Sequence, residues 1–270
     1  MVLLAALCVC LLAAIGGWWG TLIWRQATLI RLVEANSGTL IVHRREWLPK
    51  RYESRLPQSI GRLTMIALEG PAITEREAAL VHGLPDLEFL MLANARISGR
   101  TLYGLPKLDY LRLYGSDVDD ESLKVIVQQV PSVTRIDVWN TKVGDAGVAA
   151  LTQLRKIEDL QLGGTQITDQ GLAALSRHPE IGTLGLSYTG IGDEGLRHLQ
   201  AITELAVLDL RYTHITAAGL THLKPLSELR MLYIDGECDE DDATQALQQA
   251  LPHCIISVNY HRDTPGEQPE

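Results

Sequence analysis

IEDLQLGGTQITDQGLAAL, residues 157–175, decides the fold, because something close to it recurs before and after it at a steady interval. In this stretch Leu160-Gln-Leu162 alternates apolar and polar, the period-2 signature of a strand with two side chains turned to a core. Thr165 and Ile167 then mark a turn, and Asp169, Gly171, Leu172 and Leu175 follow with helical spacing. Thr168 and Asp169 supply a helix cap, a side-chain oxygen accepting from an amide that has no partner within the helix.

Aligned on L-x-x-L-x-L, the second apolar position falls at Ile66, Leu90, Leu111, Ile136, Leu160, Leu184, Leu208, Leu232 and Ile256. The intervals are 24, 21, 25 and then 24 throughout. A period in the twenties predicts an α/β solenoid of about eight units, a horseshoe with a parallel sheet on the concave face and short helices on the convex face. One unit cannot fold alone, since its half-dozen apolar side chains do not offset the entropy of ordering 24 residues. Stacking lets neighbours share the core.

Two features recur beyond the apolar positions. Thr141, Thr165, Thr189 and Thr213 occupy one position and predict an inward ladder whose hydroxyls satisfy turn amides. Gly147, Gly171, Gly195 and Gly219 recur inside the helical segment at a cost of about 1 kcal/mol each, which predicts close approach of helix and strand backbones.

The units GGTQITDQGLAAL (163–175), SYTGIGDEGLRHL (187–199) and RYTHITAAGLTHL (211–223) resemble leucine-rich repeats of the T-x-I-T-D-x-G-L type. Such repeats occur in membrane-anchored bacterial proteins and in the cysteine-containing class that reads substrates in F-box adaptors. No F-box precedes the repeats, so the ligase role is not carried over. The resemblance spans about residues 60–260 and implies a curved scaffold that binds another protein.

Residues 2–24 carry no charge and would span about 34 Å as a helix, enough for the hydrocarbon core of a bilayer. Trp18, Trp19 and Trp24 lie toward one end of the run, as interfacial indoles do. A transmembrane anchor is expected there, giving a single-pass membrane protein. A cleaved signal is the rival reading, although no basic residue precedes the run and no clear cleavage site follows it. Arg25 and Arg31 follow the run, which by a literal count sets the bulk in the cytoplasm; a basic leader upstream would alter that count, so the side stays open. Residues 25–59 read as a juxtamembrane linker and N-terminal cap, with a short strand at 39–43, and residues 261–270 as a disordered tail.

Net charge is −9, with 24 Lys and Arg against 33 Asp and Glu, which gives no footprint for nucleic acid. No G-x-S-x-G, H-E-x-x-H, P-loop or G-x-G-x-x-G motif is present, so neither catalytic residue nor cofactor is expected. The eight histidines are scattered, and no Cys/His spacing suggests a metal. Cys238 and Cys254 read as free thiols, or as a pair if that end lies outside the cytoplasm.

The letters left free by the motif carry the functional reading. Strand residues flanking the core positions point to the concave face, and of nine aromatics after residue 60, eight fall there or one residue later. The expected partner-binding surface comprises Tyr110, Arg112, Tyr114, Arg135, Asp137, Trp139, Tyr188, Asp209, Arg211, Tyr212 and Tyr233. Phe89, Met91, Asp159, Gln161 and Asp235 share that orientation. Exposed Tyr, Trp and Arg in one patch are what interfaces use as anchors, although aromatics also favour strands for their own sake. A structural envelope protein that self-assembles is the alternative.

Overall fold

The computed structural model describes residues 62–236 and 241–259, together with Thr28 and the strand 39–43. Its ten strands form a single sheet in chain order. They are β1 (Thr39–His43), β2 (Arg62–Glu69), β3 (Phe89–Ala93), β4 (Tyr110–Arg112), β5 (Arg135–Asp137), β6 (Asp159–Gln161), β7 (Thr183–Gly185), β8 (Val207–Asp209), β9 (Met231–Asp235) and β10 (Ile255–Asn259). β1 runs antiparallel to β2, with a register shift between Ile41 and Val42; every later pairing is parallel.

The register sets Leu90, Leu111, Ile136, Leu160, Leu184, Leu208, Leu232 and Ile256 side by side. This row as far as Leu232 and the next, Leu92, Leu113, Val138, Leu162, Leu186, Leu210 and Ile234, lie within one continuous hydrophobic core, with Ile256 partly buried against it. The leucine period is therefore the pitch of the sheet, and the fold is a leucine-rich repeat solenoid.

The helical side is less uniform than the sequence suggests. α1 (Glu75–Ala78) is one turn, continued by a 3₁₀ segment at Ala79–Val81. α2 (Asp120–Gln129) has ten residues, and α3 (Asp145–Leu151), α4 (Asp169–Leu175) and α5 (Asp193–Leu199) have seven each. The 21-residue unit between β3 and β4 has no helix at all. Gly99, at φ +76°, leaves room there for Ile126 of the long α2; a Cβ would sit 2.0 Å from its Cγ1. The last regular unit has only a 3₁₀ segment, Gly219–Leu223, before α6 (Asp241–Ala250).

The recurrent glycines have a different cause from the one their spacing suggests. A Cβ on Gly147, Gly171, Gly195 or Gly219 would meet no strand; its nearest neighbour is an aspartate Oδ1 at the preceding helix start. Those distances are 2.6 Å to Asp120, 2.6 Å to Asp145, 2.4 Å to Asp169 and 2.0 Å to Asp193. Each aspartate accepts from a backbone amide of the following unit: Gly144 at 2.6 Å, Thr168 at 2.8 Å, Gly192 at 2.8 Å and Thr216 at 2.8 Å. Asp145 and Asp193 also accept from the hydroxyls of Thr168 and Thr216, both at 2.7 Å. Glycine thus clears space for a carboxylate that ties one unit to the next.

The threonine ladder is present, with its hydrogen-bond direction reversed. Thr141, Thr165, Thr189 and Thr213 donate to the carbonyls of Val138, Leu162, Leu186 and Leu210, at 2.5 to 2.7 Å. The hydroxyls pair carbonyls left by the end of each strand, while the turn amides bond to neighbouring units. Thr168 caps α4 as its position suggests, accepting from the amide of Gln170 at 3.3 Å.

The anchor at residues 2–24, the linker and cap apart from β1 and Thr28, Cys238, Tyr260 and the tail at 261–270 lie outside the described residues. Among the described residues no helix is long and apolar enough to cross a membrane.

Candidate functional site

Each repeat presents three outward positions, before, between and after its two core side chains. The first row runs Met65, Phe89, Tyr110, Arg135, Asp159, Thr183, Val207, Met231 and Ile255. The second includes Arg112, Asp137, Gln161, Gly185, Asp209 and Tyr233. The third includes Tyr114, Trp139, Gly163, Ser187 and Arg211.

The expected surface divides into two clusters. In the first, on β3 to β6, Phe89 and Tyr110 meet edge to face at 5.2 Å and 87°. The guanidinium of Arg135 lies 5.2 Å from the Tyr110 ring centre, and that of Arg112 lies 5.9 Å from Tyr110 and 5.6 Å from Tyr114. Both arginines are also held by carboxylates. Arg112 Nε donates to Asp137 Oδ2 at 3.0 Å, and Arg135 pairs with Asp109 in the preceding unit.

Asp137 is only 5% exposed, and its other oxygen accepts from the Trp139 amide at 3.0 Å. Burial works against ionisation of Asp109, but hydrogen bonds from Thr134 and Arg135 hold its carboxyl below the usual range. Burial raises the Tyr110 phenol, and raises Tyr114 together with a hydrogen bond to Glu69.

The second cluster lies on β8 to β10 and the turns that follow β7 and β8. Arg211 grips Asp209 through Nε at 2.9 Å and Nη2 at 2.7 Å, and its guanidinium is 5.1 Å from the Tyr233 ring centre. Tyr188 and Tyr212 stack at 4.0 Å and 11°, and Asn259 donates to the Tyr212 hydroxyl at 3.2 Å. These two tyrosines do not stand on strands. They occupy the turn after the strand at φ +58° and +57°, where the equivalent residues are Asn94, Gly115, Asn140 and Gly164. A bulky residue in the left-handed region is strained, and such strain concentrates at functional sites. Burial, followed by the hydrogen bond and charge of Tyr212, pushes the Tyr188 phenol up to about 12.

Between the clusters β7 offers Thr183, Gly185 and Ser187, all short. Larger neighbours lean over this strip. A Cβ on Gly163 would lie 2.5 Å from Trp139 Cδ1, and one on Gly185 would lie 2.0 Å from Gln161 Oε1. Trp139 therefore lies along the surface, 38% exposed, rather than standing from it.

An open recess of about 380 Å³ lies at the N-terminal ends of β2 to β5, lined by Thr64, Met65, Glu88, Phe89, Asp109, Tyr110 and Arg135. Asp109 and Asn259 were not among the expected residues. Asp109 sits just before its strand, while Asn259 stands beside the outward Asp235 and lies 47 residues from the Tyr212 it binds. An aspartate one unit upstream of an outward arginine was the available signal for the first, and the outward row of Asp235 for the second. Together these groups present flat rings, fixed guanidiniums and carboxylates, a chemistry of recognition.

Comparison with known proteins agrees on the repeat. A family profile described as "Leucine Rich repeat" matches residues 153–176. No curated protein matches the sequence. A solved structure described as "Crystal structure of PEPR1-AtPEP1" is similar over 73% of this chain and 28% of that one, at 13% identity and a TM-score of 0.44. This chain thus spans little more than a quarter of that protein.

Proposed function

We propose that this chain is a non-enzymatic scaffold that binds a protein partner on the outer face of its sheet, held to a membrane by residues 2–24. The observation that supports it most directly is the arginine and aromatic surface itself. Trp139 and Tyr188 remain 38% and 41% exposed, while Arg112, Arg135 and Arg211 are each fixed by a carboxylate and sit near an aromatic ring. Side chains ordered before binding lose less entropy on association, so they serve well as anchors.

Capture of a partner from native membranes with the wild-type chain, and with Trp139→Ala combined with Arg211→Ala, tests this reading. Selective loss of one partner in the double variant supports it, and unchanged recovery counts against this face.

A second reading, a self-assembling structural element of a bacterial envelope, draws on β10. That strand pairs only with β9 among the described residues, and Ile255 is 62% exposed. An uncharged terminal strand of this kind can template pairing with another chain. Sedimentation of the detergent-solubilised chain separates the two readings: a concentration-dependent series of larger species favours assembly, and a single monomeric species favours a discrete partner.

A further inference from the structure

The charged groups of the first cluster are matched except at one point. Arg135 pairs with Asp109, Arg112 with Asp137, and Lys156 with Glu158. Asp159, the first outward residue of β6, receives a hydrogen bond from Gln161 Nε2 at 2.8 Å, and no Lys, Arg or His among the described residues forms an ion pair with it. It is half-buried, and burial raises its carboxyl, Asp137 adding to the rise while the Gln161 hydrogen bond and the charges of Arg135 and Arg112 oppose it. Beside it β7 offers only Thr183 and Gly185, and the Gln161 side chain lies over Gly185.

Of the residues lining the recess, Tyr110 on β4 lies two strands away, Phe89 on β3 three and Met65 on β2 four. At about 4.8 Å between strands, Tyr110 and Phe89 are about 10 and about 14 Å away, which an extended chain covers in roughly three to four residues. The aromatic side of the recess and the Asp159 carboxylate thus lie one short peptide step apart.

We infer that this face takes an extended peptide segment of a partner, with an apolar side chain seated in the Phe89 and Tyr110 recess and a Lys or Arg three or four positions away received by Asp159. The inference rests on the partner-binding reading and specifies the partner's chemistry. The Asp159 carboxylate supplies the specificity, because an acidic residue placed there would meet it with no ion-pair partner among the described residues to offset it. Arg135 stays neutralised by Asp109 and lies beside the Tyr110 ring, so it walls the path without repelling the incoming cation strongly.

The test is a positional-scanning library of synthetic nine-residue peptides, with one position fixed at a time, bound to the full chain. Selection of an apolar residue at one position and Lys or Arg three or four positions away is expected. Asp159→Asn should weaken the selected peptide about tenfold and flatten the basic preference. Asp159→Lys should turn that preference to Asp or Glu, and Phe89→Ala should flatten the apolar preference alone. A basic preference that survives Asp159→Lys overturns the inference, as does selection of acidic peptides by the wild type or of no peptide at all. Peptides bound without basic preference, yet lost on Trp139→Ala with Arg211→Ala, leave the scaffold reading standing and sink this one.

Discussion

The middle of the array and its last regular unit share most of their letters, yet they are tied differently. From Asp120 to Thr216, four successive helix starts each lend a carboxylate to the next unit, whose glycine makes room for it. In the last of these units the aspartate position holds Ala217, and the segment after it is 3₁₀ rather than α. Leu220 and Leu223 are as buried there as their counterparts elsewhere. Apolar burial and the Asp193 tie at Thr216 therefore hold the segment against the core without an aspartate of its own, and the α-helical turn coincides with that aspartate.

The largest expected effect that would sharpen this contrast is in the core. Leu184→Ala, fully buried mid-array, should cost about 2–5 kcal/mol, whereas Ile256→Ala on the terminal strand should cost less than half as much. Equal losses in denaturant titrations would break the distinction between middle and end.

Next comes the tie itself. Asp169→Ala removes the partner of the Gly192 amide and a charge at the start of α4, and should cost about 1–2 kcal/mol. Gly195→Ala should destabilise the wild type by about 1 kcal/mol, because its Cβ would lie 2.4 Å from Asp169 Oδ1. In the Asp169→Ala background the same change should lose most of that penalty, leaving the helix preference for alanine against a 3.1 Å approach to Ile191 Cγ2. A double-mutant cycle showing no coupling would refute the pairing.

Smaller still is the effect at the strained turn. Tyr188→Asn places a residue suited to the left-handed region, as at Asn94 and Asn140, and should raise stability by a few tenths of a kcal/mol while reducing partner capture. A clear loss of stability would mean that stacking on Tyr212 outweighs the strain.

The Tyr188 phenol gives a readout that needs no mutation of the core. With its folded value near 12 against about 10 unfolded, the neutral form is favoured by folding. Whatever this adds is fully present below pH about 10 and is lost as pH rises toward 12. Phenolate absorbance should show several late-titrating tyrosines, since Tyr110 and Tyr114 are raised too, with one late step lost in Tyr188→Phe; an unchanged late titration would place the shift elsewhere.

The sheet was legible in the letters because apolar positions at a fixed period leave a single register, and the strand at 39–43 is where its pattern suggests. The role of the glycines was not, because the group each one accommodates lies 26 or 27 residues upstream, in the unit before, while the D-x-G spelling suggests a relation within one unit. The threonines misled in direction only, since a hydroxyl both donates and accepts. Outward orientation followed from the period of two. The division of the surface did not, because it depends on short side chains at β7 and on backbone angles at Tyr188 and Tyr212. A hint was present: the equivalent positions hold Asn or Gly, the residues that tolerate a positive φ.

Because each aspartate serves the unit that follows it and each glycine the unit that precedes it, the array behaves like a head-to-tail polymer with a defined direction of growth. A duplicated 24-residue module taken from between Asp145 and Asp193 would bring both halves of its couplings and lengthen the molecule without a fault. A module carrying Ala217, inserted at the same place, would act as a chain terminator within the run.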